Sequence, residues 1–195
     1  GVNPQNGNAL WRNEEGLLTE NYGEARRINA GSPEPLWTGG FNTELSWRGI
    51  SLGIQLEARY GNKVLNQDRS LFEADGSYGD SNIWKGAMNY WKKPGDTNVL
   101  PKPVYNNSSN SSAISTRYLE DGSYLRIKDI TLAYSLPSKW TKKALMSGVR
   151  IYASALNLYT FHNMNYWDPE HGTSGATIIS YPMTRSMIVG VDITF

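Results

Sequence analysis

The chain has 195 residues, a formal net charge of +1 and 39% hydrophobic content, enough for one sizeable core or for one section of a larger object. Its charges are interspersed, with no basic stripe to meet a phosphate backbone, so nucleic acid is not an expected partner; with no cysteine, a disulfide framework, a thiol nucleophile and a thiolate metal site are excluded. No run approaches the ~20 apolar residues of a membrane-spanning helix, so any membrane is crossed by strands, and seven Trp and twelve Tyr against four Phe favour rings with a polar edge.

Residues 1–40 are punctuated by Gly, Pro and Asn at short intervals and form a loop region ahead of a hairpin. Residues 41–60 hold two alternating runs. In the first, Phe41, Thr43, Leu45 and Trp47 share a face against Asn42, Glu44 and Ser46. In the second, Ile50, Leu52, Ile54, Leu56, Ala58 and Tyr60 oppose Ser51, Gly53, Gln55, Glu57 and Arg59. Joined by Arg48-Gly49, they are a hairpin. Residues 61–122 lack a strand pattern and form one long loop, with a helical turn near Ser81 to Trp91 and a low-complexity run from Asn106 to Ser112.

Residues 123–195 return to alternation. Leu125 and Ile127 share one parity while Ile130, Leu132 and Tyr134 share the other, which demands a bulge near Lys128-Asp129 or a passage between two environments. A Pro-bounded, lysine-bearing connection from Pro137 to Gly148 leads into a strand setting Val149, Ile151, Ala153 and Ala155 against Arg150, Tyr152 and Ser154, with a second parity change near Asn157. After a Gly- and Pro-marked loop, Met187, Val189, Val191, Ile193 and Phe195 alternate with Ser186, Gly190, Asp192 and Thr194, Ile188 being the apolar intruder. Strands of about ten residues, short connections at one end and long ones at the other, are the organisation of an antiparallel up-and-down outer-membrane β-barrel. Alternation alone leaves a soluble carbohydrate-binding β-sandwich open as the alternative, since its charged face would be the wet outside.

The segments "DGSYLRIKDITLAYSLP", "VRIYASALNLYTF", "DPE" and "YPMTRSMIVGVDITF" resemble successive closing segments of SusC-like (SusC/RagA) TonB-dependent outer-membrane transporters. Upstream, "GVNPQNGNALW", "SPEPLWTGGFNTELSWRGISLGIQL" and "YGNKVLN" resemble the preceding segments in the same order. The resemblance implies an all-β fold, the C-terminal strands of a roughly 22-stranded transmembrane barrel with long extracellular loops. It implies nutrient import, of glycans or peptides, across the outer membrane of a Gram-negative bacterium. The implied partners are the remaining N-terminal part of the same transporter, a SusD-like surface lipoprotein acting as a lid, a TonB complex reached through that N-terminal region, and outer-membrane lipid. Gly190, Ile193 and Phe195 resemble the carboxy-terminal assembly signal of such barrels, although Ile188 stands where a polar residue is usual.

Among candidate chemistries, Asp168 and Glu170, with Glu120-Asp121, suggest a glycosidase pair, but Asp-Pro-Glu is more simply turn chemistry and no nucleophile with a base partner is evident; no catalytic residue and no cofactor is expected. His162, His171 and Asp168 are too few for an expected metal site. Trp84, Tyr90, Trp91, Tyr166 and Trp167 are the candidate ligand-binding residues, because flat rings in outward loops stack on sugars or clamp peptides. Glu44, Gln55, Glu57, Arg59 and Arg150 are expected along a polar lumen wall.

Overall fold

The computed structural model describes residues 1–79, 82–170, 175–177 and 181–195. In chain order its strands are β1 (Trp11–Arg12), β2 (Leu18–Thr19), β3 (Trp37–Trp47), β4 (Ile50–Tyr60), β5 (Lys63–Asn66), β6 (Leu119–Asp121), β7 (Tyr124–Ser135), β8 (Gly148–His162), β9 (Ala176–Thr177) and β10 (Ser186–Thr194). The α-helices are α1 (Gln67–Phe72) and α2 (Ser138–Thr141). The chain divides into two compact units, one built on residues 32–63, 121–170 and 181–195, the other on 1–31, 64–120 and 175–177.

The first unit is a five-stranded antiparallel meander in the order β10-β8-β7-β4-β3. The β3–β4 turn has positive φ at both Arg48 (49°) and Gly49 (87°), which suits a two-residue turn whose twist matches the strands. Strand β3 begins at Trp37, opposite Tyr60, ahead of the Phe41 boundary that alternation suggests. Gly39 and Gly40 look like loop in sequence, yet the Trp37 ring folds over Gly39, where a Cβ would lie 2.5 Å from it, and restores the apolar surface that glycine lacks.

The parity change in β7 is a bulge. Gln55 faces Asp129 while Leu56 faces Ile127, so Lys128 is the extra residue against β4. Across from it, Ile127 faces Tyr159 and Asp129 faces Leu156, leaving Asn157 and Leu158 on β8, with Asn157 at φ 50°. The bulges switch sequence parity so that polar residues stay on one face along the whole strand length. One row of that face runs Glu44, Gly53, Thr131, Ser154 and Ile188; another runs Asn42, Gln55, Asp129, Leu156 and Ser186.

The opposite face is apolar and uncovered. Its rows include Leu45, Leu52, Leu132, Ala153 and Val189, and Thr43, Ile54, Ile130, Ala155 and Met187. Leu45 is 61%, Val189 78% and Met187 80% exposed. Trp37, Tyr60, Tyr159 and Phe161 stand towards one end of this face and Trp47 and Tyr134 at the other. A sandwich would bury such a face under a second sheet. An apolar band edged by aromatic rings, on strands of which the eleven residues of β3 span ~33 Å before tilting, has the dimensions of a lipid-facing wall.

The second unit contains more structure than a loop. The β1–β2 ribbon, β5, α1 and short 3₁₀ turns at Tyr22–Glu24, Lys85–Met88 and Thr116–Tyr118 are too short to carry a period in sequence. Its interior is largely polar. The Asn66 carboxamide caps α1 by accepting from the Arg69 N–H at 3.3 Å, and Arg69 bridges Glu73 (2.8 Å) and Glu120 (2.7 Å). Burial works against the Arg69 charge, but the two carboxylates outweigh it and hold the guanidinium above its ordinary pKa.

Candidate functional site

The β3–β4 and β7–β8 turns define one end of the meander, here the turn end; the strands open into longer segments at the other, the loop end. At the loop end the polar face brings together residues scattered through the sequence. Glu57 pairs across the sheet with Arg126 and Thr160, and Arg59 with Tyr124 and His162. Arg126, wholly buried at 0% side-chain exposure, donates to Asp168 and Glu170 at 2.5 Å each and to the Thr160 hydroxyl at 2.9 Å. The Lys128 ammonium, thrown to this side by the bulge, lies 3.0 Å from Glu57 and 3.3 Å from Glu170. The Tyr124 hydroxyl donates to Glu57 at 2.8 Å, and Arg59 lies 3.7 Å from the same carboxylate. Arg59, Arg126 and Lys128 thus balance Glu57, Asp168 and Glu170, and the wholly buried Arg126 is tolerated because two carboxylates partner it.

The cluster fastens the segment after β8 to the sheet. Asp168 also accepts from the Glu170 N–H at 2.8 Å, so the Asp-Pro-Glu turn foreseen from sequence is present and is riveted by Arg126 as well. Just before it, Trp167 N–H donates to Asn165 at 2.8 Å around Tyr166, which sits at φ 67° and is 55% exposed. Left-handed backbone costs roughly 1–2 kcal/mol for a residue with a Cβ, and here it presents an aromatic ring outward. Trp167 beside it is half-buried.

The other ring candidates lie in the second unit. Trp84 stacks on Phe72 at 4.8 Å between centroids, and Tyr90 carries Lys92 over its ring at 5.4 Å. Trp91 donates from its indole to the Pro4 carbonyl at 3.1 Å and covers Gly7, where any Cβ would meet the ring at 2.6 Å. All three are half-buried and each has a packing partner within the unit.

Of the carboxylates weighed for catalysis, Asp168 and Glu170 share Arg126, Glu120 is held by Arg69 at 2.7 Å, and Asp121 accepts from the Ser123 hydroxyl at 2.6 Å. His162 lies on the polar row opposite Tyr124, and His171 falls outside the described residues. Glu44, Gln55 and Arg150 share the polar face with the cluster; Arg150 lies 3.3 Å from Asp192. Gly190 faces Tyr152 on the same side and is covered by its ring, whereas Ile193 belongs to the apolar face. Arg126, Lys128 and Tyr124 escaped the sequence reading. The available signal was an arginine on the polar parity of an otherwise apolar strand, a placement that demands a buried counter-charge.

No model of a known protein family matches the chain. TonB-dependent receptor P3 of Formosa agariphila is 30% identical over 182 residues, which cover 88% of this chain. Receptor P26 of the same organism is 27% identical over 179 residues, or 85% of the chain. The chain spans 17% of the length of each of these curated relatives. Among solved structures, it is similar to the RagAB peptide importer in its "closed-closed" state, with 28% identity, a TM-score of 0.83, and cover of 100% of this chain and 22% of that one. In the "open-open" state the TM-score is 0.85 and the cover 100% and 21%. The exposed apolar face, the polar wall behind it and these likenesses agree: the chain is a homologue of SusC-like TonB-dependent receptors, matching one section of a much longer protein.

Proposed function

We propose that the complete protein is a TonB-energised importer in the outer membrane of a Gram-negative bacterium, and that this chain supplies closing strands of its barrel wall together with outward loops. The observation that carries the reading is the five-stranded sheet with one uncovered apolar, aromatic-edged face and one charged, self-paired face, because lipid on one side and a wet lumen on the other require that division. The substrate is a peptide or a glycan held under a SusD-like lipoprotein lid. Tyr166 and Trp167, with Trp84, Tyr90 and Trp91, are the proposed contact rings; the strained, outward Tyr166 supports its place among them. Gly190, Ile193 and Phe195 are the proposed assembly signal.

The test uses the full-length transporter in its own outer membrane. Uptake of labelled oligopeptides and oligosaccharides is measured with and without a functional TonB complex, and the expected result is TonB-dependent accumulation of one of the two classes. A full-length protein that stays monodisperse in plain buffer, without detergent, would return the reading to a soluble sandwich.

A further inference from the structure

At the turn end of the sheet the chemistry differs from everything at the loop end. The connection between β7 and β8 carries Lys139, Trp140, Lys142, Lys143 and Leu145, all exposed, with Trp140 at 60% and Leu145 at 90%. No Asp or Glu occurs between Asp129 and Asp168, so the connection carries no carboxylate side chain of its own. The neighbouring β3–β4 turn adds Arg48, whose guanidinium lies 4.8 Å over the Trp47 ring, itself 67% exposed. Ser135 N–H donates to Gly49 at 2.8 Å, so the two connections emerge side by side. Among the described residues, Arg48, Lys139, Lys142 and Lys143 take part in no ion pair. Asp192, on β10 at this end, is matched by Arg150 at 3.3 Å.

We propose that this rim binds anionic phospholipid headgroups, with Lys139, Lys142, Lys143 and Arg48 on the phosphates and the Trp47 and Trp140 rings at the edge of the acyl layer. The inference rests on the barrel reading above and goes beyond it, since a lipid-facing wall by itself has no preference among headgroups. Two observations select the occupant. The apolar face ends at the row Trp47, Ile50, Tyr134 and Ile151; Arg48 directly follows Trp47, and the lysine-bearing connection starts just past the end of β7, beyond Tyr134, so the basic residues belong to the end of the wall where acyl chains would give way to headgroups. Long basic side chains interleaved with tryptophans match a layer that is apolar below and anionic above, where lysine stems lie along the first and the ammonium reaches the second.

The experiment takes the purified full-length transporter in detergent and titrates it with phosphatidylglycerol, phosphatidylcholine or inorganic phosphate, counting bound lipid by native mass spectrometry. Wild type is expected to bind phosphatidylglycerol at least tenfold more tightly than phosphatidylcholine. Lys139→Gln, Lys142→Gln and Lys143→Gln together should lower that affinity roughly 10- to 100-fold, while the three Lys→Arg replacements together should keep it. Equal affinity for both lipids, or an undiminished preference in the triple Gln variant, overturns the proposal and leaves the barrel reading intact. Full displacement of the lipid by inorganic phosphate also overturns it, in favour of a free-anion site. A wild type that needs no detergent at all removes the barrel reading and this inference with it.

Discussion

The two ends of the five-stranded sheet both carry clustered cations and use most of them in opposite ways. At the loop end, Arg59, Arg126 and Lys128 are matched inside the protein by Glu57, Asp168 and Glu170, and Arg126 has no contact with solvent. At the turn end, Arg48, Lys139, Lys142 and Lys143 are exposed and form no ion pair among the described residues. Charges of the first kind shape the protein, because removing the buried Arg126 would leave two largely buried carboxylates without their shared partner. Charges of the second kind leave the fold nearly indifferent to their loss, so whatever they do is done to the surroundings.

The largest effect that would break this contrast is at Arg126. Arg126→Ala leaves Asp168 and Glu170 without their shared cation, and the expected cost is about 3–5 kcal/mol locally. In the full-length protein this is read as accelerated amide exchange and proteolysis over residues 163–170, with the strands still protected. Lys142→Gln at the other end is expected to change stability by less than about 0.5 kcal/mol. If the two variants proved equally mild, the loop-end cluster would be surface decoration.

Between the ends, the contrast sharpens into one of faces. Ile54 and Gln55 are adjacent in β4 and point to opposite sides. Lysine at Ile54 is expected to cost roughly 2–4 kcal/mol in membrane insertion, and lysine at Gln55 little; the heat-modifiable fraction in outer-membrane preparations measures both. Contact of a label at Gln55, and not at Ile54, with a lipid quencher would invert the assignment of the faces. A smaller effect is expected at Gly190, where a Cβ would come within 2.4 Å of the Tyr152 ring. Gly190→Val should cost about 1–2 kcal/mol, measured in the same assay, and Tyr152→Ala in the same chain should relieve most of it.

What could be read from sequence divides along the same line. The alternation of β4 and β10 survives in the structure because a two-sided environment imposes period two on every residue of a strand. The parity breaks at Lys128 and Asn157 were visible for the same reason. Lost were features fixed by contacts at long separation. Arg126 finds Asp168 across 42 positions, and Trp91 finds Pro4 across 87, distances over which no local pattern records a partner. The second unit looks like loop in sequence because its order comes from side-chain caps and amide clusters, and its strands and helices, of two to six residues, repeat a period too few times to stand out.

That unit yields the smallest expected effect, at an exposed carboxylate held by neutral donors. The Glu20 carboxylate accepts from the carboxamides of Asn3 (2.6 Å), Asn6 (2.9 Å) and Asn8 (2.8 Å), which draws "GVNPQNGN" into a ring around one anion. These donors, that of Asn8 foremost, favour the ionised form and hold the Glu20 pKa below its ordinary 4.5. Because the folded value is depressed, the stabilisation is fully present above about pH 4.5 and is lost as pH falls below it through the folded value. Glu20 is exposed, so the effect stays local and small. Amide exchange over residues 1–24 should therefore accelerate below about pH 4.5, relative to the intrinsic rate, while the meander stays protected. Glu20→Gln keeps an acceptor oxygen and removes the titration, so its exchange over the same residues should be faster than wild type at neutral pH and show no acid step. An acid step that persists in Glu20→Gln would assign the titration to another group and leave the three asparagines as a turn that needs no anion at its centre.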